Sequence, residues 1–189
     1  MQADLARSLR RIKPERLTGS LSRRDDGDLD FAEAAPLFGP PLLLDTCVYV
    51  DGLEGSLPPR VEALLRTRTL MHLSVVVGEL SHNFGRLDPR HPNTRRHLDE
   101  LAGVIEEIPR HRLEDAISAG VLLEAGIVSG LSFRLGGFQP GQEVAALNDA
   151  TIYLHGLERG YTVLTRNIRN FDFMNQIVPA GRVLFYRAV

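Results

Sequence analysis

The sequence predicts a three-layer α/β/α sandwich with a central, mostly parallel sheet. From Leu42 onward, short apolar runs alternate with helical segments. The first run, Leu42-Leu43-Leu44, is apolar throughout, which is typical of a strand buried on both faces. Strands that are separated by helices pair in parallel through right-handed crossovers. A chain of 189 residues is long enough for one such domain with a sizeable core.

Four strands and six helical regions follow from this pattern. The strands are predicted at residues 42–44, 70–73, 161–165 and 183–186. The helices are predicted from apolar positions three and four residues apart and from residues typical of helix ends: a stretch from about residue 48, and residues 59–65, 75–84, 94–107, 112–135 and 142–159. Ser74 and Asn93 are the expected N-caps of two of them, and Gly160 ends the last. The polar, Arg-rich segment 165–173 is predicted to be a loop.

Residues 1–40 differ in composition from the rest of the chain. Residues 1–24 carry seven cations and two acids, whereas residues 25–40 carry five acids and no cation, so the overall net charge of −2 conceals two opposed blocks. We predict that residues 1–40 are a charged N-terminal extension with little core of its own, either a docking arm or, as is more common, a solvated tail. Residues 41–189 are then the folded domain.

Composition excludes several classes of protein and site. A single Cys rules out an intrachain disulfide framework and favours a reducing compartment. We find no apolar stretch of membrane-spanning length and no secretory signal, so we expect a cytoplasmic protein without membrane contact. No Gly-x-Gly-x-x-Gly follows a strand, and the histidines lack the spacing of zinc ligands.

Three acidic residues stand at predicted strand ends or on helices that adjoin the strands, and ligands gather at the carboxyl ends of parallel strands. Asp45 follows the first strand directly, and its alternative role is a helix cap. Glu79 lies early in an otherwise apolar helix, where a solvated acid that interacts with the helix dipole is equally plausible. Asp149 is the most informative acid, because its neighbours one helical turn away are apolar and include no cation: Ala145, Ala146, Ile152 and Tyr153. An unpaired carboxylate in such surroundings is costly unless it is protonated, hydrogen-bonded or bound to a metal.

The segment after the strand at 161–165 carries the fourth group of polar residues. Thr165 and Asn167 offer oxygen ligands or contacts to water. Arg166 and Arg169 are suited to phosphate, although ordinary surface solvation explains them nearly as well. Asp172 offers another carboxylate, with a turn-capping role as its alternative. Carboxylates that share a cleft repel one another unless a divalent cation is present, and hard oxygen ligands select Mg²⁺ or Mn²⁺.

Three segments of the chain resemble PIN-domain nucleases, particularly the VapC-type toxins of bacterial toxin–antitoxin pairs. They are LLLDTCVYVD from Leu42, SVVVGEL from Ser74, and the C-terminal NDA with GYTVLTRN and Phe171. The resemblance spans roughly residues 42–187 and implies a metal-dependent endoribonuclease. It assigns Asp45, Glu79 and Asp149 to the acidic cluster and Thr165 to a supporting hydroxyl. It also implies an antitoxin partner and a homodimer.

The sequence departs from that family at two places. Cys47 stands where the family commonly has Asn, and its apolar surroundings favour an inert buried thiol over a nucleophile. The positions where a fourth acid is often found hold Asn167 and Asn170, so the nearest carboxylate is that of Asp172. A catalytically weak or inactive RNA-binding or scaffold module is therefore the alternative function. A haloacid-type phosphohydrolase is disfavoured, because Cys47 occupies the place of its second aspartate.

Overall fold

The structure is a computed structural model that describes residues 4–189. Its centre is a five-stranded sheet of order β3-β2-β1-β4-β5 in which every pairing is parallel. The strands are β1 (Leu42–Leu44), β2 (Leu70–Leu73), β3 (Leu113–Glu114), β4 (Thr162–Thr165) and β5 (Arg182–Phe185). The four predicted strands are therefore present within one residue of their predicted ends.

Within residues 4–189, eight α-helices connect and cover the strands. They are α1 (Leu5–Ile12), α2 (Thr46–Glu54), α3 (Pro59–Thr67), α4 (Ser74–Arg86), α5 (Thr94–Glu106), α6 (Ala119–Gly136), α7 (Glu143–Arg159) and α8 (Ile168–Ile177). The chain steps from β1 to β2 to β3 in one direction, and from β3 it returns past β1 to β4 and β5. Right-handed crossovers place helices on opposite faces of the sheet when the direction of travel reverses. The predicted three-layer α/β/α architecture is confirmed.

Within residues 41–189, two elements differ from the sequence-based prediction. The two-residue strand β3 lies in a region predicted to be helical, and α8 occupies most of the segment predicted to be a loop. Two expected caps also differ: α4 begins at Ser74 itself, and the side chain of Asn93 makes no capping hydrogen bond. These differences leave the topology unchanged.

The core lies on both faces of the central strands. All three residues of β1 are buried, and Val163 and Leu164 of β4 are at most 1% exposed. Gly156 lets α7 approach the sheet closely, because a Cβ atom at this position would stand 2.9 Å from Cγ2 of Val163. The Cβ-free contact therefore fixes the distance between α7 and β4.

Helix α6 is an apolar stretch of membrane-spanning length, although the sequence-based prediction was that the chain has none. By length and composition alone it could span a membrane, with a mean hydropathy of 1.3 over 18 residues. In this fold it packs against α1, α7 and α8, and 39% of it is buried. Its Glu124 carboxylate pairs with Arg11 of α1 at 2.9 Å. These contacts are those of a helix in the outer layer of a folded domain.

The described part of the N-terminal segment, residues 4–40, is called the arm below, and it packs along the domain. Ile12, Ala32 and Ala35 are buried in the main core. The backbone of Phe31 forms a parallel bridge with Phe185 of β5, whose N–H donates to the carbonyl of Asp30 at 2.8 Å. The arm is therefore not a solvated tail, and the apolar residues scattered along it are the reason.

Candidate functional site

The strand order creates a crevice between β1 and β4. The chain leaves these neighbouring strands in opposite directions, so the helices that follow them lie on opposite faces of the sheet. Ligands in open α/β sheets bind at such a point, outside the carboxyl ends of the strands. Asp45 directly follows β1, and Thr165 ends β4 beside it. The structure thus brings these two predicted residues together.

The Asp45 carboxylate is buried and receives three hydrogen bonds. Its Oδ1 accepts from the N–H of Thr46 at 2.7 Å, which makes Asp45 the N-cap of α2 as well as a member of the cluster. Its Oδ2 accepts from the hydroxyl of Thr165 at 2.6 Å and from the thiol of Cys47 at 3.1 Å. The Asp45 side chain therefore caps α2 and also belongs to the acidic group, so the two predicted roles are not alternatives.

Glu79 reaches the crevice from α4. The hydroxyl of Thr46 donates to its Oε2, and the side-chain amide of Asn148 donates to its Oε1 at 2.7 Å. Thr46 is the neighbour of Asp45, and Asn148 is the neighbour of Asp149. Glu79 is therefore fixed between the two other acids rather than solvated at a helix start.

Asp149 lies in α7 and is held from the opposite side of the crevice. Its Oδ2 accepts from the side-chain amides of Asn167 at 3.0 Å and Asn170 at 2.8 Å. Its Oδ1 receives no hydrogen bond from residues 4–189 and is not fully enclosed. The Asp149 carboxylate thus has one oxygen anchored by two amides and one without a hydrogen bond from the described residues.

The three acids are close enough for their charges to act on one another. Burial, with added repulsion from Asp45 and Glu79, raises the pKa of Asp149 to about 8. Burial also raises the pKa of Asp45, and the charge of Glu79 adds to this effect, while the hydrogen bonds from Thr165 and Cys47 oppose it. A bound cation would relieve this crowding by favouring the ionised forms.

The donor set matches a hard divalent cation in chemistry but not as a closed cage. All candidate ligands are carboxylate, hydroxyl or amide oxygens, which are suited to Mg²⁺ or Mn²⁺. Within residues 4–189, no three His, Cys, Asp or Glu side chains converge tightly enough to hold one ion directly. Mg²⁺ commonly keeps several waters and binds through one or two carboxylates, so Asp149 with Asp45 or Glu79 meets its requirement.

Cys47 takes part as a hydrogen-bonding thiol. Burial, together with the charge of Asp45, raises its pKa to about 12. Its sulfur also accepts from the backbone N–H of Arg166 at 3.3 Å. A nucleophilic cysteine requires the thiolate, which these surroundings disfavour.

Asp172 lies away from the other acids, contrary to its predicted role as a metal ligand. Its carboxylate is fully buried and bonded to the arm: Oδ1 accepts from Nε of Arg24 at 2.6 Å, and Oδ2 from the backbone N–H of Arg24 at 2.8 Å. Gln176 donates to the same Oδ2 at 2.9 Å. The place near Asp149 that was predicted for Asp172 is occupied by Asn167 and Asn170.

The two arginines predicted to bind RNA have partners within the chain. Arg166 lies beside the crevice, and its Nε pairs with the buried carboxylate of Asp51 at 3.1 Å while 44% of its side chain stays exposed. Arg169 donates to the carbonyl of Gly136 at 2.6 Å, and its guanidinium lies about 5.4 Å from the Phe138 ring. The backbone N–H of Arg166 also reaches the crevice, where it donates to the Cys47 sulfur.

Sequence reasoning missed three residues that hold the acids in place: Thr46, Asn148 and Asn170. Each donates to a carboxylate of the cluster. Neutral donors of this kind are common on any surface, so composition gives no signal for them. The useful signal was their position next to, or one helical turn from, residues already singled out.

Comparison with known proteins supports the fold. No protein-family model matches the chain, and no curated protein matches its sequence. VapBC2 of Rickettsia felis, solved bound to a DNA fragment from its promoter, is similar in structure with a TM-score of 0.52 and 19% identity, over 78% of this chain and 99% of that one. FitAcB of Neisseria gonorrhoeae gives a TM-score of 0.51 and 20% identity, over 77% and 96%. The PIN-like fold is thereby shown.

Proposed function

We propose that this protein is a metal-dependent endoribonuclease that cleaves RNA phosphodiester bonds, and that it is the toxin of a toxin–antitoxin pair acting in the cytoplasm. The observation that carries the proposal is the meeting of Asp45, Glu79 and Asp149 at the carboxyl ends of β1 and β4. Each comes from a different element, and their charges act on one another. The resemblance of the surrounding segments to VapC-type toxins agrees with this chemistry.

The acids of the crevice have distinct parts in this function. Asp149 offers a free Oδ1 to Mg²⁺ or Mn²⁺, and Asp45 or Glu79 supplies a second carboxylate. When bound, the ion would activate a water and stabilise the charge that develops on the phosphate. Thr165 fixes Oδ2 of Asp45, and Asn167 fixes Oδ2 of Asp149, so that both carboxylates keep their orientation.

The RNA backbone would lie across the mouth of the crevice. The exposed part of the Arg166 side chain is suited to a phosphate beside the acids, because a planar guanidinium pairs with two phosphate oxygens. Arg169 is placed for a more distant phosphate on the α8 side. Phosphate contacts of this kind provide affinity without sequence preference.

A partner protein and a second copy of the chain complete the proposal. Two exposed apolar side chains, Val144 at 72% and Leu147 at 40%, stand on α7 just before Asn148 and Asp149, and Phe84 at 45% lies on α4. We propose that an antitoxin covers this rim of the crevice. Light scattering on the purified chain tests the homodimer, with a monomer as the contrary result.

RNA digestion with purified variants tests the proposed activity. We expect cleavage of single-stranded RNA in Mg²⁺ or Mn²⁺, none in EDTA, and a loss of at least about 100-fold in Asp45→Asn and Asp149→Asn. Groups that only orient metal ligands already contribute about 10- to 100-fold to metal affinity, and a ligand acts more directly. The matched control is Asp115→Asn, since Asp115 is exposed and outside the cluster. Unchanged cleavage in both cluster variants, with circular dichroism showing intact folding, would overturn the assignment.

A binding or scaffold module without catalysis is the second candidate. It is favoured by the amide groups of Asn167 and Asn170 beside Asp149 and by the lack of a closed three-ligand cage in residues 4–189. Calorimetry with Mn²⁺ separates the two functions. Measurable Mn²⁺ binding that disappears in Asp149→Asn supports the nuclease, and absent binding together with retained RNA affinity supports the module.

A further inference from the structure

We propose that the arm is a working part of the site: Arg24 is a positioning residue that sets the place of α8 and, through Asn167 and Asn170, the orientation of the Asp149 carboxylate. This inference rests on the proposed function only for the role of Asp149 as a metal ligand. The mechanical link itself follows from contacts among described residues. Nothing in the activity proposed above requires an arm.

The arm grips α8 along one flank through a compact set of hydrogen bonds. Arg24 donates to both oxygens of the buried Asp172 carboxylate and, through Nη2, to Oδ1 of Asn175 at 2.8 Å. Gln176 donates from Nε2 to the carbonyl of Ser22 at 2.9 Å. Three polar residues in the last two turns of α8, Asp172, Asn175 and Gln176, are thus tied to two residues of the arm, Arg24 and Ser22.

The ion pair between Arg24 and Asp172 neutralises a carboxylate that is fully buried. The Asp172 side chain is 0% exposed, and Arg24 is the only cation that pairs with it among residues 4–189. A buried carboxylate that is deprived of its cation must regain water or a proton, and water can reach it only if the arm and α8 move apart. Asp172 therefore links the position of α8 to the arm.

The other end of α8 delivers the amides that hold Asp149. Asn167 is the N-cap residue of α8 and Asn170 lies in its first turn, and both donate to the same Oδ2. Phe171 between them and Asp172 is fully buried, so α8 moves as a rigid element rather than bending at this turn. A displacement at Asp172 is therefore felt at Asn170, half a turn away.

The chain provides a matched control inside the arm and another inside the site. Arg23 is the neighbour of Arg24, but it pairs with the half-exposed Asp26. Asn148 donates to Glu79 from α7 and does not depend on α8. If the coupling runs through Asp172 and α8, Arg23→Ala should leave the amide resonances of Asn167 and Asn170 unchanged. Arg24→Ala should likewise leave the side-chain amide resonance of Asn148 unchanged.

The experiment combines NMR of the side-chain amides with Mn²⁺ calorimetry on Arg24→Ala, Arg24→Lys and Arg23→Ala in the full chain. We expect Arg24→Ala to shift the amide resonances of Asn167 and Asn170 but not that of Asn148, and to weaken Mn²⁺ binding on the order of tenfold. Arg24→Lys should restore part of both effects, because it keeps a cation beside Asp172. Arg23→Ala should change neither.

The outcomes separate this inference from the proposed function. Unchanged amide resonances of Asn167 and Asn170 in folded Arg24→Ala overturn the inference, regardless of the Mn²⁺ affinity. If Arg24→Ala does not fold, the smaller shift expected in Arg24→Lys is measured instead, and its absence overturns the inference. Absence of Mn²⁺ binding by the unmodified chain counts against the proposed function instead. In that case the resonances still decide whether the arm positions α8.

Discussion

Asp149→Asn should stabilise the metal-free protein at neutral pH while removing its metal site. An aspartate in an unfolded chain has a pKa of about 3.9. Burial and the charges of Asp45 and Glu79 raise the pKa of Asp149 to about 8 in the folded protein. A carboxyl group whose pKa is raised by folding leaves stability intact below pH 4. It then costs stability progressively as the pH rises towards 8.

The size of this effect follows from the two pKa values. Each pH unit between them costs up to about 1.4 kcal/mol of unfolding free energy, so the interval from pH 5 to pH 7 costs up to about 3 kcal/mol. The Asn side chain has nearly the same shape, carries no charge, and retains an oxygen that accepts from Asn167 and Asn170. The unfolding free energy of the variant should therefore decrease much less between pH 5 and pH 7. The decrease that remains is the one that Asp45 causes.

Urea denaturation in EDTA at pH 5 and pH 7, followed by circular dichroism, measures the effect. The difference between the two proteins isolates Asp149, because His72 and His155, whose pKa values are lowered by burial, titrate in both. Asp115→Asn provides the comparison for an exposed acid. Equal pH dependence in Asp149→Asn and the unmodified chain would refute the argument, since the carboxylate would then not be buried among like charges.

Three further substitutions test individual contacts. Thr165→Val removes the hydroxyl that donates to Asp45 at 2.6 Å and should cost about 1–3 kcal/mol in urea denaturation, with Thr165→Ser near the unmodified value; equal loss in both variants would contradict this. Cys47→Ala should keep full RNA cleavage, and the native thiol should resist iodoacetamide at pH 8, so a cleavage-dead variant that folds would restore the nucleophile hypothesis. Gly156→Ala would place a Cβ 2.9 Å from Val163 Cγ2 and should destabilise by about 1–3 kcal/mol, seen as a lower Tm; an unchanged Tm would show that α7 shifts freely.

The sequence was most informative where burial and periodicity dictate the structure. Leu42–Leu44 is apolar at every position, as a strand covered on both faces requires, so its burial on both faces could be predicted from its residue types. Strand β3 was missed because two residues cannot display a period. Its pairing depends on β2 beside it, which is a tertiary contact.

The error at Asp172 has a geometric cause. The segment after β4 was predicted to be a loop, because its first residues are polar, and in a loop Asp172 is as close to Asp149 as Asn170 is. In the helix that forms, residues two positions apart lie on opposite sides. Asn170 faces Asp149, so Asp172 has to face the arm. The sequence shows which polar side chains are present in this segment, but the helical geometry determines which of them contact Asp149.

The contact of Asp30 and Phe31 with Phe185 also governs how this molecule can assemble. A parallel sheet grows by adding strands at its two borders, and an open border invites pairing with another chain. Here the arm pairs with the border strand β5 at Phe185, and the border strand β3 has only two residues. A chain trimmed of its arm would therefore expose the backbone of Phe185 at this border and should pair more readily with another chain than the whole protein does.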